Sequence, residues 1–394
     1  MSVSTRAVAL PEGFPVVGVV GGGQLARMMA APAAALGIGL RVLATDPGES
    51  AAQVVADLRL GRHDDLTALQ DLVAGTAVLT FDHEHVPTDH LRRLQRDGAV
   101  VRPGPAALEH AQDKLVMRRA LQAAGAPVPR WAQVDGPADV VGFAEQTGWP
   151  VVVKTSRGGY DGRGVWVLAD AAAADTHFAA ARLPSGAQWL AEERVDFAAE
   201  LSAQVARSPS GQAVAYPVVA TVQTGGICTE VVAPAPELPA ALALAAQQLA
   251  LRIAGELDVT GMLAVELFAT REGTLLVNEL AMRPHNSGHW SIEGALTSQF
   301  ENHLRAVLDL PLGAPDLVAP HAVMVNVLGG DHPDLYAAYR HLLARDPALH
   351  VHLYGKQVRP GRKVGHVTAV GADLDELRER ARHAADYITG VIDE

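Results

Sequence analysis

Cysteine is nearly absent: the 394-residue chain carries one, Cys228. A lone thiol excludes an intrachain disulfide framework and a cysteine-rich metal cluster, and it suits a reducing compartment, so a cytoplasmic protein is expected. Lysine is scarce too. Of 32 basic residues only four are lysine: Lys114, Lys154, Lys356 and Lys363. Arginine supplies generic positive charge here, so a lysine kept against that bias suits a site needing a compact, rotatable ammonium. Excess positive charge is missing as well. A net charge of −12 argues against nonspecific nucleic-acid binding, and any phosphate site must rest on local cations. No apolar run approaches the roughly 20 residues of a membrane span, and the opening MSVSTRAVALPEGFP does not read as a signal peptide. Length and a 49% apolar composition indicate a soluble globular chain of two or three domains.

What is present centres on Val151 to Val165, V-V-V-K-T-S-R-G-G-Y-D-G-R-G-V. A β-branched run ends at Lys154, a loop holds Gly158, Gly159, Gly162 and Gly164, and an apolar run from Val165 follows. This is a hairpin signal. Glycines let backbone N–H groups wrap phosphate oxygens, and Lys154, Arg157 and Arg163 add charge around them. We read the stretch as a lid over a nucleotide polyphosphate; a mobile hairpin with scattered charge is the plain alternative.

Earlier in the chain, an apolar strand from Val16 runs into Gly21, Gly23 and Ala26, matching G-x-G-x-x-G/A. A strand at Leu40 to Ala44 then reaches Asp46, where a ribose-binding acid would sit. Alone this suggests a dinucleotide, although any phosphate ligand can use a helix N-terminus. Asp65 to Val73 and Leu91 to Arg96 read as helices, Ala77 to Phe81 and Ala99 to Val101 as strands. Such alternation predicts a parallel sheet with ligands at its C-terminal edge, where Glu84 lies. Pro105 to Gly125 reads as one helix, and A-P-V-P (126–129) breaks the chain. Trp189 to Val195 reads as a strand carrying Glu192 and Glu193 in an exposed, linker-like position. Glu200 follows, then a strand at Tyr216 to Val222 and a packing helix over Pro234 to Leu257.

Residues 261–280 form a second hairpin around T-R-E-G. If Ala269 pairs with Thr274, Glu266 and Glu279 share one face as a diagonal pair about 7–8 Å apart. Paired carboxylates on an apolar surface call for a cation, and Mg²⁺ takes one or two carboxylates plus phosphate oxygens. Asn278 falls on the other face unless a bulge intervenes. Next comes R-P-H-N-S-G-H-W, with Arg283 as a fork and His285 and Asn286 as donors for an anion. Zinc at His285 and His289 is the rival reading. Past a proline-rich linker (311–320), strands are expected at His321 to Leu328 and Val351 to Tyr354. The segment Tyr354 to His366 gathers Lys356, Arg359, Arg362 and Lys363, a further anion contact. Asp373 to Tyr387 reads as a charged surface helix.

These pieces in this order resemble the ATP-grasp superfamily. Within it, G-G-G-Q-L-A-R-M, G-G-Y-D-G-R-G, N-E-L-A-x-R-P-H-N-S-G-H and K-x-x-x-P-G-R-K-V-G-H look like the 5-(carboxyamino)imidazole ribonucleotide synthase family of purine biosynthesis. The resemblance implies a mixed α/β and α+β chain: an N-terminal Rossmann-like domain (1–113), an ATP-grasp domain with lid (114–310) and a small C-terminal β-rich domain (320–394). It implies ATP-dependent carboxylation of aminoimidazole ribonucleotide by bicarbonate through carboxyphosphate, with Mg²⁺ or Mn²⁺ as the metal, and a homodimer.

The implied roles follow residue by residue. Lys114 and Lys154 contact ATP phosphates, with Gly158, Gly159, Tyr160, Asp161, Gly162, Arg163 and Gly164 closing over them. Glu192, Glu193, Arg194 and Val195 form the adenine hinge and Glu200 holds the ribose. Glu266 and Glu279 hold metal beside Asn278. Arg283, His285 and Asn286, with Lys154, carry the bicarbonate chemistry. Gln24, Leu25, Glu84, Tyr160, Arg163, Lys356, Arg362 and Lys363 hold the ribonucleotide. Asp82 stands where the family usually shows glutamate, Gln223 where some members have histidine, and Met282 where proline is common. Another ATP-grasp carboxylase or formate-dependent ribonucleotide ligase, an NAD-dependent dehydrogenase and a non-catalytic binding protein are the competing readings.

Overall fold

The structure, a computed structural model, describes residues 11–159 and 162–392. It opens with parallel strand–helix units: β1 (Val16–Val20), α1 (Gln24–Ala35), β2 (Gly39–Ala44), β3 (Asp57–Leu60), α2 (Leu66–Val73), β4 (Val78–Phe81) and α3 (Thr88–Arg96). The sheet order is β3-β2-β1-β4, all parallel. Strands β1 and β4 are near-continuous apolar runs because both of their faces are covered. The expected strand at Ala99 to Val101 is a single bridge from Val101 to Leu79, since Pro103 follows at once.

The single helix expected at Pro105 to Gly125 is two: α4 (Pro105–Gln112) and α5 (Lys114–Ala123). Asp113 breaks it, extended, with its carboxylate capping the Leu115 and Val116 amides. The break makes Lys114 the first residue of α5, where it pairs with Glu279. Next come β5 (Trp131–Val134), α6 (Pro137–Thr147), the hairpin β6 (Val151–Thr155) and β7 (Val165–Leu168), α7 (Ala171–Ala180) and β8 (Trp189–Glu193). They form an antiparallel sheet, β5-β8-β6-β7, over a small core of Val153, Trp189 and Phe143.

The remaining strands build one large antiparallel sheet. They are β9 (Phe197–Arg207), β10 (Ala213–Ala215), β11 (Val219–Thr224), β12 (Ile227–Ala233), β13 (Gly261–Thr270), β14 (Leu275–Ala281), β15 (His321–Leu328), β16 (His350–Leu353) and β17 (Lys363–Gly371). The order is β14-β13-β9-β11-β12-β15-β17-β16, with β10 on β9. The C-terminal strands thus continue the central sheet through the β12–β15 pairing. Helix α8 (Ala240–Glu256) begins after Pro239, later than the expected Pro234, and β11 begins at Val219 rather than Tyr216. A short α9 (Ser291–Gly294) leads to α10 (Gln299–Val307), whose Phe300, Leu304 and Val307 pack on Met29 of α1 and lock the first sheet to the large one. Beyond α11 (Tyr339–Arg345), α12 (Leu374–Thr389) is amphipathic: Leu377, Ala381, Ala384 and Ile388 are buried.

Candidate active site

Between the three sheets lies a cleft of about 1880 Å³. All four lysines line it, and so do Gln24, Leu25, Glu84, Gly158, Gly159, Gly162, Arg163, Glu192, Glu193, Arg194, Val195, Glu200, Glu266, Asn278, Glu279, Arg283, His285, Asn286 and Arg362. Tyr160 and Asp161 fall outside the described residues. Gly164 does not line the cleft; its carbonyl accepts the Thr155 N–H at 2.9 Å and closes the hairpin base. At Gly162 (φ +75°) a side chain would be strained, and a Cβ would come within 3.2 Å of Gly226.

The floor is an ion network. Lys154 Nζ lies 2.6 Å from Glu192 Oε2, and Arg118 lies 2.6 Å from Glu192 Oε1. Burial pulls the Lys154 ammonium below its ordinary value, against the support of Glu192. Burial likewise opposes charge on Glu192, yet Lys154 and Arg118 hold its carboxyl at about 2. Glu192 is therefore buried, not exposed: the charges that make it bearable come from α5 and β6, far away in sequence. Arg118 was missing from the sequence reading. It is wholly buried and also donates to the carbonyls of Val277 (3.2 Å) and Asn278 (2.8 Å). Its only sequence signal is its place one helical turn after Lys114.

The carbonyls held by Arg118 lie at a bulge. Ala269 pairs with Leu275, not Thr274, and the register shifts between Glu266 and Leu267. Glu266 consequently faces Glu279 directly rather than diagonally, while Asn278 is the extra residue and turns into the cleft, where its Oδ1 accepts from Lys154 at 3.2 Å. Burial, then the Glu279 and Glu200 carboxylates, raise Glu266 to about 7. Burial opposes ionisation of Glu279 too, but Lys114, which forms an ion pair with it, holds its carboxyl below the ordinary value. The donor set fits a hard cation: two facing carboxylates that offer oxygen donors only. Among the described residues no trio of His, Cys, Asp and Glu is arranged to hold a metal, and the buried His289 has its Nδ1 3.1 Å from Gln299 Nε2.

Beside the hairpin, Arg283 Nε donates to Glu84 Oε2 at 2.8 Å, leaving Glu84 Oε1 buried without a partner. Both polar atoms of the Asn286 side chain are likewise buried and unbonded, as expected where a ligand completes the set. Burial, with Arg283 and Lys363, lowers His285 to about 3, so its imidazole is neutral at pH 7. Its Nε2 lies 3.4 Å from Glu266 Oε1 and its Nδ1 2.8 Å from Ser287 Oγ. At the far end Lys356 binds Gln24 Oε1 and sits 5.4 Å above the Tyr354 ring. The N-terminal glycine turn carries no dinucleotide cradle. Asp82 Oδ1 accepts the Ala26 N–H at 2.8 Å, filling the α1 N-terminus, and Asp46 accepts the Gly48 N–H to close its own turn.

Comparison with known proteins decides the family. Residues 15–112 match the ribonucleotide synthetase preATP-grasp domain, 119–300 the ATP-grasp domain and 322–380 the phosphoribosylaminoimidazole carboxylase C-terminal domain. The N5-carboxyaminoimidazole ribonucleotide synthase of Mycobacterium tuberculosis is 57% identical over 95% of this chain and 88% of that protein. The chain belongs to the N5-carboxyaminoimidazole ribonucleotide synthase family. The Bacillus subtilis member is 37% identical over 92% of this chain and 93% of its own length. An ADP complex of such a synthetase superposes with a TM-score of 0.87 at 34% identity, covering 96% of this chain and 98% of that one. The Aspergillus clavatus enzyme, solved with ADP and aminoimidazole ribonucleotide, gives 0.87 at 30% identity, over 95% and 98%. A dehydrogenase is thereby excluded. The chain is an ATP-dependent ligase.

Proposed function

We propose that this cleft carboxylates 5-aminoimidazole ribonucleotide with bicarbonate and ATP, releasing ADP and phosphate, within de novo purine biosynthesis. The observation that carries the reading is convergence. One cavity holds a buried ammonium (Lys154), two facing carboxylates (Glu266, Glu279), an anion-binding trio (Arg283, His285, Asn286) and a cationic strap (Lys356, Arg362, Lys363).

Triphosphate enters under the 158–164 loop. Lys114 exchanges Glu279 for a phosphate oxygen, and Lys154, already desolvated, loses little solvation on meeting another. Glu193 to Val195 line the adenine end, with the stacked pair Phe197 and Phe268 (4.8 Å), and Glu200 faces the ribose. Glu266 and Glu279 hold Mg²⁺ or Mn²⁺, which when bound neutralises charge on the phosphates. Bicarbonate is a poor electrophile, so its oxygen first accepts the γ-phosphoryl group, giving carboxyphosphate with a phosphate leaving group. Arg283, neutral His285 and Asn286 hold that intermediate by hydrogen bonds, and the lid keeps water out. The ribonucleotide lies between Gln24, Glu84 and the strap, presenting its amine to the carboxyl carbon.

We further infer that domains divide at 1–113, 114–310 and 320–394, that the enzyme works in the cytoplasm and that it is a homodimer. The deciding experiment is ATP turnover with each substrate omitted. ADP release that requires both bicarbonate and aminoimidazole ribonucleotide supports the reading; equal turnover with glycinamide ribonucleotide, or with formate, overturns it.

A further inference from the structure

The backbone of His285 is gripped by one side chain from outside its own segment. Gln299, the first residue of α10, lays its amide flat against it: Oε1 accepts the His285 N–H at 2.9 Å, and Nε2 donates to the His285 carbonyl at 2.8 Å. Gln299 is wholly buried, and its own N–H donates to Ser291 Oγ at 2.9 Å. The fit is close. A Cβ on Gly288 would stand 2.3 Å from Gln299 Oε1, so the absence of a side chain there lets the amide approach. The ring of His285 is fixed separately, through Ser287 Oγ, which in turn bonds Ser202 Oγ at 2.8 Å and Gln204 Nε2 at 2.9 Å.

Behind the amide the contacts continue toward the ribonucleotide end. Gln299 Nε2 lies 3.1 Å from His289 Nδ1, and the His289 ring faces His366 at 5.1 Å. His366 Nδ1 is 2.7 Å from the Tyr354 hydroxyl, and Tyr354 lies beneath Lys356. Tyr354, His289 and His366 are all buried to within a hundredth of their surface. Every link is a packed ring or a directed hydrogen bond, so Gln299 sits between the segment that meets the carboxyl group and the strap that meets the amine's nucleotide.

We propose that Gln299 is a positioning residue for carboxyl transfer: it fixes His285 so that the activated carboxyl group passes to the amine instead of to water. The inference rests on the assignment of His285 to the bicarbonate-derived group. In the productive step the amine nitrogen attacks the carboxyl carbon, the carbon–oxygen bond to phosphate breaks, and the nitrogen releases a proton. In the wasteful step a water oxygen attacks the same carbon, the same bond breaks, and bicarbonate and phosphate return. Each route consumes one ATP. Water is small and attacks from many directions, whereas the amine is tethered to a bound nucleotide and needs alignment. Misplacing His285 therefore slows the first route more than the second.

The test uses the full chain with saturating ATP, bicarbonate and aminoimidazole ribonucleotide, and follows ADP and carboxylated product together. Gln299→Met keeps the volume and removes both bonds to His285; Gln299→Glu keeps the acceptor and loses the donor. The expected result for Gln299→Met is product formation slower by on the order of 10- to 100-fold, with ADP release falling much less, so that more than one ADP appears per product. The KM for ATP stays unchanged, and Gln299→Glu falls between. One ADP per product in Gln299→Met, at whatever rate, overturns the proposal and leaves Gln299 a structural residue. If Gln299→Met does not fold, the same ratio in Gln299→Glu decides. His285→Gln separates the two levels. Tight coupling in that variant removes the role given to His285, whereas uncoupling there but not at Gln299 removes only this inference.

Discussion

The turn at Gly21–Gly23 and the loop at Gly158–Gly164 both follow an apolar strand, and both have the glycines that phosphate cradles use. Their outcomes differ because of what stands opposite. At the first, the Asp82 carboxylate occupies the α1 N-terminus, and a Cβ on Gly23 would lie 2.2 Å from Asp82 Oδ2. The positive end of that helix is already satisfied by the protein itself. At the second, the facing groups are Lys154, Asn278 and Glu279 across an open cleft. A glycine pattern specifies backbone freedom; the nearest carboxylate or ammonium decides which anion, if any, is received.

Substitutions can test that contrast, beginning with the strongest. Glu279→Gln removes a metal carboxylate and the partner of Lys114, so kcat should fall by on the order of 10²–10³ with circular dichroism unchanged. Turnover like the parent's would remove the metal assignment. Lys356→Ala should raise the KM for the ribonucleotide by roughly 10- to 100-fold, the worth of a charged hydrogen bond, while the KM for ATP stays put; equal weakening of both would contradict the strap's role.

The glycines come next. Gly23→Ala drives a methyl into Asp82 and should cost about 1–3 kcal/mol of stability, read by chemical denaturation, with residual turnover per folded molecule retained. Gly162→Ala should do the reverse, lowering turnover through about 1–2 kcal/mol of backbone strain in the lid while the melting temperature holds. If both act on stability alone, the two loops are equivalent after all.

The smallest effect is one of pH. Burial raises the Asp82 carboxyl to about 6, against the Ala26 N–H and the charges of Arg283 and Lys356. A group raised in the folded state stabilises fully below its unfolded value of 3.8 and loses that contribution as pH climbs through about 6. Between those values the melting temperature should decline more steeply in the parent than in Asp82→Asn. Parallel curves would mean the carboxyl titrates normally.

Much of the architecture was readable because its signals are local. The apolar runs of β1 and β4, the helical stretch of α2 and the two hairpins each fit within a short window. The lysine scarcity was readable for another reason: composition, not position, pointed to four ammoniums, and all four meet in the cleft. The break at Asp113 was missed because a helical pattern runs through it; only the capping geometry reveals the interruption. The bulge at Asn278 stayed an open alternative because hairpin register was counted from the turn outward, whereas Arg118, 160 residues away, grips the backbone at that point.

By itself the sequence determined the order of elements, the two glycine loops, the paired glutamates and the residue types from which a phosphate and carboxyl chemistry is assembled. Those features depend on spacing along the chain, which the order of residues records. Tertiary structure alone decided that Glu192 is buried, that Glu266 faces Glu279 squarely, that Asp82 fills the first glycine turn and that Gln299 grips His285. Each of those rests on a short-range hydrogen bond or ion pair between residues distant in sequence, whose strength depends on angstroms of separation that only the packed chain supplies.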